Sequence, residues 1–252
     1  EIPLRLVGSE MCIRDRRISD AFENGVITGK GLSYGGSLIR PEATGYGAIY
    51  YTCEVFKHQH DDIKGKTFVV SGFGNVAWGA IKKITALGGK ALTISGPDGY
   101  VYDPDGIATE EKINYLLEMR ASGRDRVQDY ADKFGAEFHP GEKPWGVQGD
   151  VILPCATQNE VTLEDAKKIV ANGAKYYIEV SNMPTTADAL NYLMDQKDLI
   201  VAPSKAVNAG GVCVSGLEMS QNSQRLSWTA EEVDAKLHQA CLLYTSPSPR
   251  DV

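Results

Sequence analysis

Residues 67–77, TFVVSGFGNVA, decide the fold that the sequence predicts. The run from Thr67 to Ser71 is apolar and β-branched, as in a buried strand, and the pattern G-x-G-x-x-A follows it at once. In such a turn the first glycine allows the tight bend, the second lets a pyrophosphate approach the backbone, and the small last residue lets the following helix pack on the strand. The stretch therefore predicts a dinucleotide-binding turn. The alternative is an αβ turn with a purely structural role.

The chain between residues 17 and 241 alternates apolar runs with amphipathic stretches, the pattern of βαβ units around a parallel sheet. The runs are almost continuously hydrophobic, which suits strands covered on both faces. We therefore predict a Rossmann-like, doubly wound, mainly parallel α/β sheet flanked by helices. The predicted strands are Thr67–Ser71, Ala91–Ser95, Asp150–Leu153, Tyr176–Val180 and Leu199–Ala202, and the predicted helices are Pro41–Lys57, Asn75–Leu87, Thr109–Ser122, Leu163–Ala171, Thr186–Met194 and Thr229–Ala240.

The end of the second predicted strand bears on the choice of dinucleotide. An acidic residue about 20 positions after the glycines typically binds the ribose hydroxyls of NAD, whereas NADP needs a cation for its extra phosphate. Asp98 lies near this place, and no Lys or Arg lies between Ala91 and Glu111. NAD is therefore the predicted cofactor, and NADP is the less favoured one. The alternative for Asp98 is a turn former in the sequence Pro-Asp-Gly.

Composition excludes several classes of protein. The chain has 26 Lys and Arg residues against 33 Asp and Glu residues, a net charge of −7, which argues against a nucleic-acid partner. No apolar run is long enough to span a bilayer, so we expect no membrane partner and a cytoplasmic location. Five cysteines without a C-x-x-C pair fit neither a disulfide framework nor a zinc site, and no metal site is predicted.

The two ends of the chain differ from its middle. Residues 1–16, EIPLRLVGSEMCIRDR, and 242–252, LLYTSPSPRDV, show no periodicity continuous with their neighbours. Both resemble translated vector or adapter sequence, so we predict a non-native leader and tail; the alternative is genuine disordered termini. Between them we expect a connector with a helix at 17–60, a dinucleotide-binding domain at 61–202, and helices at 203–241 that return toward the substrate cleft.

Longer motifs carry a resemblance to a known family. They are GGSLIRPEATGYG at 35–47, GKTFVVSGFGNVAWGA at 65–80, SGPDGYVYDPDG at 95–106, PCATQNE at 154–160 and APSKAVNAGGVCVSGLEMSQNS at 202–223. Through them the chain resembles the glutamate dehydrogenase family of the hexameric bacterial type. The resemblance implies an oxidoreductase that converts L-glutamate to 2-oxoglutarate and ammonia with NAD, and a homohexameric parent. It also implies that the N-terminal substrate domain is absent, so no catalytic residue is expected in this chain.

The resemblance also implies roles for individual residues. Arg40 and Ser215 resemble substrate-binding residues, the serine being the one that holds the distal carboxylate of glutamate. Thr44 resembles the threonine beside the nicotinamide, and two asparagines resemble those that line the cofactor cleft. The cofactor-binding residues expected in all are Thr44, Gly72, Phe73, Gly74, Asn75, Val76, Asp98, Ala156, Thr157, Asn182 and Asn208.

Two alternatives remain open from the sequence. One is a branched-chain or aromatic amino-acid dehydrogenase of the same superfamily, in which an apolar pocket would stand in place of the hydroxyl of Ser215. The other is a nucleotide-binding fragment without catalytic activity. NADH binding and glutamate turnover, measured in the same sample, distinguish this second alternative from an active enzyme.

Overall fold

The computed structural model describes residues 24–245, so the predictions for residues 1–16 and 246–252 lie outside the described residues. The strands are β1 (Thr67–Val70), β2 (Lys90–Ala91), β3 (Thr93–Gly96), β4 (Gly99–Tyr102), β5 (Glu137–Pro140), β6 (Val151–Leu153), β7 (Tyr176–Ile178) and β8 (Ile200–Ala202). The helices are α1 (Ala43–His58), α2 (Asn75–Ala86), α3 (Glu110–Ser122), α4 (Gln128–Phe134), α5 (Leu163–Ala171), α6 (Ala187–Met194), α7 (Ser204–Val207), α8 (Gly210–Gln224) and α9 (Ala230–Thr245). Short 3₁₀ turns lie at Asn24–Val26, Leu32–Tyr34 and Pro144–Gly146.

The main sheet is parallel, with the strand order β2-β1-β6-β7-β8. On β1, Phe68 and Val70 pack into the core that includes α1 and α2, whereas Val69 packs into a second core that includes α5 and α6. All three side chains are fully buried, because alternate residues of a strand point to opposite faces. The predicted doubly wound α/β fold is thereby confirmed.

The second predicted strand is divided in the structure, and its later part leaves the parallel sheet. The hydroxyl of Thr93 accepts a hydrogen bond from the Val70 N–H at 2.9 Å and donates one to the Val70 carbonyl at 2.8 Å. This side chain occupies the edge of β1, so the parallel pairing stops at Phe68 and Ala91. From Thr93 onward the chain pairs with β4 in an antiparallel sheet of order β3-β4-β5. The prediction of one continuous strand over Ala91–Ser95 is wrong, and β4 and β5 are not predicted from the sequence.

The six predicted helices are present, and each begins within two residues of its predicted start. Thr162 and Asp165 form a capping box at the start of α5, as the Thr-Leu-Glu-Asp sequence indicates. The helix predicted to end at Ala240 continues to Thr245. That predicted helix end is wrong, and the boundary of the predicted non-native tail at 242 stays a prediction. Cys241 is buried, and the helix meets no proline before Pro247, which disfavours helix at the residue preceding it.

Small residues bring α1 against both α2 and α8. A Cβ atom on Gly45 would lie 2.2 Å from the Ala80 nitrogen of α2, and one on Gly210 of α8 would lie 2.3 Å from the Ala43 carbonyl oxygen. Contacts this close require glycine, because any side chain would overlap the neighbouring backbone. The crossing places the first turn of α1, which contains Thr44, beside the first turn of α8. Ser215 lies further along α8.

Candidate dinucleotide-binding site

The predicted phosphate turn joins β1 to α2 in the expected geometry. Gly72 has φ +79°, and a Cβ atom there would lie 3.2 Å from the Ala156 Cα, so the turn needs glycine for both its conformation and its close approach. The Gly72 N–H donates to the Ser95 hydroxyl at 2.8 Å. Gly74 precedes α2 and supplies no side-chain cap. The first N–H groups of α2 are therefore available to an anion, and they fit the pyrophosphate of a dinucleotide.

A cavity of about 640 Å³ opens over this turn. Its lining includes five of the predicted cofactor residues, which the fold brings together from two separate segments: Gly72, Phe73, Gly74, Ala156 and Thr157. Phe73 is only 8% exposed, so most of its ring belongs to the core. Two further predicted residues, Asn75 and Val76, form the first turn of α2 beside the cavity.

Two cationic side chains line the cavity. The spacing of residues along the sequence does not predict that either of them lies there. Arg120, near the end of α3, donates from Nη1 to the Asn75 side-chain oxygen. Lys143 donates to the Glu160 carbonyl oxygen at 2.6 Å and to the Asp165 carboxylate at 3.3 Å. Both residues lie later in the sequence than the second predicted strand. A search for a cation between residues 91 and 111 therefore misses them. Only the tertiary structure brings positive charge to this cavity.

Asp98 has structural partners. One carboxylate oxygen accepts the Val127 N–H at 3.0 Å and the other accepts the Gln128 N–H at 3.1 Å, so the side chain caps the start of α4. Its neighbour Pro97 lines the cavity, and Asp98 is not among the lining residues described. These contacts favour the turn-and-cap interpretation of Asp98, and its binding to a ribose stays a prediction.

Asn182 and Asn208, the two asparagines expected to line the cofactor cleft, lie beyond the carboxyl ends of β7 and β8. Open α/β sheets bind ligands at these strand ends. The Asn208 amide donates to the Asn182 side-chain oxygen at 2.7 Å. Thr44 lies at the crossing of α1 and α8, where a Cβ atom on Gly211 would come 2.4 Å from the Thr44 hydroxyl oxygen. The fold therefore pairs the two asparagines, and it sets the threonine hydroxyl on the first turn of α8.

A polar cluster surrounds Ser215 on α8. Its hydroxyl oxygen accepts hydrogen bonds from Arg40 Nε at 2.9 Å and from the Thr28 hydroxyl at 3.1 Å, so the two predicted substrate residues lie in direct contact. One turn further along, the fully buried Glu218 accepts from the Gly29 N–H at 3.0 Å and pairs with Lys30 at 2.7 Å. Burial of this carboxyl disfavours its charged form, but the hydrogen bonds and charge of Lys30 outweigh that effect and lower its pKa.

Thr28, Lys30 and Glu218 are functional-site neighbours that sequence reasoning misses. The glycine-rich stretch 29–36 predicts only a loop, and the contacts with α8 span more than 180 residues of sequence. The one local signal is the helical spacing of Ser215, Glu218 and Asn222, which places them on one side of α8.

Comparison with known proteins identifies the family. The sequence model described as Glutamate/Leucine/Phenylalanine/Valine dehydrogenase matches residues 35–245. The chain belongs to this dehydrogenase family. The NAD-specific glutamate dehydrogenase of Clostridium symbiosum is 71% identical over 224 residues, which are 89% of this chain and 50% of the relative. The NADP-specific glutamate dehydrogenase of Haemophilus influenzae is 54% identical over 217 residues, 86% of this chain and 48% of the relative.

Solved dehydrogenases of the family share the fold. One glutamate dehydrogenase structure superimposes with a TM-score of 0.90 at 68% identity. The superposition covers 94% of this chain and 53% of the chain in that structure. The chain thus spans about half the length of the relatives that it matches. The predicted family membership is confirmed. The comparisons leave the choice of NAD or NADP open, because relatives specific for each cofactor match well.

The described part of this dehydrogenase chain contains no helix long and apolar enough to cross a membrane. Residues 24–245 also hold no group of three His, Cys, Asp or Glu side chains placed to bind a metal ion. Four cysteines in these residues are free thiols, at positions 53, 155, 213 and 241. Burial raises the pKa of the Cys155 thiol, beside the phosphate turn, well above its usual value, so this thiol stays protonated at neutral pH.

Proposed function

We propose that the chain is the dinucleotide-binding half of an enzyme that oxidatively deaminates L-glutamate to 2-oxoglutarate and ammonia. The observation that carries the proposal is that the chain combines two polar sites. One is the uncapped N-terminus of α2, which follows a glycine turn. The other is the hydrogen-bonded pair of the Ser215 hydroxyl and the Arg40 guanidinium. The first suits a pyrophosphate. The second suits a carboxylate, because it combines a hydrogen-bonding hydroxyl with a fixed positive charge.

The chain's own residues bind and orient in this proposal. A bound nicotinamide would supply the acceptor for the hydride of the substrate carbon. The backbone N–H groups at the start of α2 would hold the pyrophosphate, and Thr44 with the Asn182–Asn208 pair would hold the nicotinamide end. Ser215 and Arg40 would fix the distal carboxylate of the substrate. Holding both reactants in a reactive geometry is the main contribution of such a domain, since the hydride chemistry belongs to the cofactor.

We propose NAD as the preferred cofactor. Two features support this choice: the relative that is 71% identical is NAD-specific, and the negative charge of Asp98 lies one residue from the cavity lining, where it would repel a 2′-phosphate. Arg120 acts in the opposite direction, because its guanidinium lines the same cavity and would attract that phosphate. We expect the balance to favour NADH over NADPH.

Two alternatives make different predictions. A branched-chain or aromatic amino-acid dehydrogenase would need an apolar substrate end, and the Thr28, Arg40 and Ser215 contacts favour a carboxylate instead. A purely nucleotide-binding module would bind NADH. In that case even a longer form of the protein would not turn over any amino acid. A homohexameric parent and a cytoplasmic location belong to the proposal as well; they rest on the family resemblance and on the composition.

The proposal is tested by two measurements. Fluorescence titration of the purified chain with NADH tests the dinucleotide site, and saturable binding in the micromolar range is expected. Adding a separately expressed substrate domain from a close relative, then measuring NADH formation from glutamate and from leucine, tests the substrate class. Glutamate turnover well above leucine turnover supports the proposal, and the reverse order contradicts it.

A further inference from the structure

Glu160 links the two segments that form the walls of the cavity. Its carboxyl group accepts the Ala156 N–H at 3.0 Å, and the Thr157 N–H and the Ser71 hydroxyl lie near enough to stabilise its charged form. Ser71 is fully buried at the end of β1, directly before the phosphate turn, and Ala156 lies in contact distance of Gly72. This side chain therefore lies between the glycine turn and the loop after β6.

No cation of the described residues forms an ion pair with the carboxyl group of Glu160. Lys143 donates to the Glu160 carbonyl oxygen and to Asp165, and its charge acts on the Glu160 carboxyl group without an ion pair. Burial raises the pKa of Glu160 to about 7, although Ser71, the N–H groups of Ala156 and Thr157, and the charge of Lys143 act against this shift. Both the neutral and the charged form are thus populated near neutral pH.

The charge of the cavity depends on this one group. The lining carries two cations, Arg120 and Lys143, and three carboxyl groups, Asp125, Glu142 and Glu160. A dinucleotide adds the two negative charges of its pyrophosphate. Placing them beside an ionised Glu160 costs Coulomb energy in a partly desolvated site, whereas a neutral Glu160 removes that repulsion.

We propose, on the basis of the proposed dinucleotide site, that Glu160 is a positioning residue that takes up a proton from solvent when the dinucleotide binds, so that binding weakens as the pH rises. Its neutral form still positions the loop after β6, because it keeps an oxygen that accepts the backbone N–H of Ala156. By linkage, a ligand that prefers the protonated form binds with proton uptake, and its Kd increases with pH through the titration range of Glu160.

Other groups that face Glu160 do not account for the same effect. Cys155 after β6 and Tyr177 on β7 both interact with Glu160, and burial raises the pKa of each well above its usual value, so both stay neutral between pH 6 and 8. Asp165 on α5 engages Lys143, and Arg120 on α3 stays charged. The chain's histidines, at 58, 60, 139 and 238, are not part of the cavity lining.

The test is the Kd of NADH for the chain at pH 6, 7 and 8, with the variants Glu160→Gln and Glu142→Gln. Wild type is expected to weaken by about fivefold from pH 6 to pH 8. Glu160→Gln is expected to stay within about twofold of the wild-type value at pH 6 throughout. Glu142→Gln removes a carboxylate from the same cavity and is expected to keep the wild-type pH dependence. A pH-independent wild type, or a pH-dependent Glu160→Gln, would overturn the inference.

A second measurement needs no variant, so it decides the matter even if Glu160→Gln does not fold. Calorimetric titration of NADH into wild type at pH 7, in two buffers with different ionisation enthalpies, is expected to show uptake of about 0.4 proton per NADH. No uptake would overturn the inference while leaving the proposed function intact. No NADH binding at any pH would contradict the proposed function itself, and this inference with it.

Discussion

The two polar ends of the cleft are built in different ways. The phosphate end consists of consecutive residues, Ser71 to Val76, and its shape depends on the positive φ of Gly72 and on the open start of α2. The substrate end consists of Thr28, Arg40 and Ser215, and its contacts join residues 175 and 187 positions apart. A local motif thus forms one end, whereas the other forms only where the segment before α1 packs against α8.

The largest expected effect separates binding from turnover. The 252-residue chain by itself is expected to bind NADH and to oxidise glutamate at least about 10⁴-fold more slowly than a full-length relative. General acid and base groups contribute about 10² to 10⁴ each, and the family resemblance implies no catalytic lysine or aspartate among its residues. NADH formation from glutamate, measured alongside the NADH titration, checks this. Turnover by the chain alone would show that its substrate end is complete.

A pair of glycine variants tests how local the phosphate end is. In Gly74→Ala the new methyl group meets no atom within 4 Å, so the free energy of unfolding should change by no more than about 0.5 kcal/mol, while NADH binding weakens about tenfold because the pyrophosphate passes over this position. In Gly72→Ala the positive φ should also destabilise the fold, by about 1–2 kcal/mol. Urea unfolding and NADH titration measure both. Unchanged affinity in Gly74→Ala would place the dinucleotide elsewhere.

Asp98→Asn tests the charge beside the adenosine end of the cavity. We expect wild type to bind NADH about tenfold tighter than NADPH, a difference of about 1.4 kcal/mol. We expect this preference to fall to about twofold in the variant, because the asparagine loses the charge; it keeps one of the two acceptors for the start of α4. Asp105→Asn, an exposed change in the next turn, is the control. An intact preference in Asp98→Asn would show that Asp98 serves only as a helix cap.

The smallest effect is expected at the substrate end. In Ser215→Ala, Arg40 Nε and the Thr28 hydroxyl lose their common acceptor, which should lower the free energy of unfolding by about 1 kcal/mol and leave the Kd of NADH within about twofold. Ser220→Ala, on the same helix with a hydroxyl bonded to the Gly216 carbonyl, is the control. A large loss of NADH affinity in Ser215→Ala would mean that the two ends of the cleft are coupled.

Sequence reasoning succeeds in this protein where neighbours along the chain decide the structure. Helix starts at Thr162 and Thr229 follow from hydroxyls that bond the N–H group three residues on. It fails at Thr93, because a side chain that replaces strand pairing on β1 looks like any other β-branched residue. It also fails at α4, whose start depends on the carboxylate of Asp98 about 30 residues earlier.

By itself the sequence determined the parallel α/β fold and the glycine turn, because hydrophobic periodicity and the conformation of glycine are local properties. Only the tertiary structure decided which charges face the cavity. Arg120, Lys143 and Glu160 reach it from separate elements, and the partners of Ser215 come from the other end of the chain. The reason is physical: burial, hydrogen bonding and pKa depend on what packs around a group, and those neighbours are set by long-range contacts.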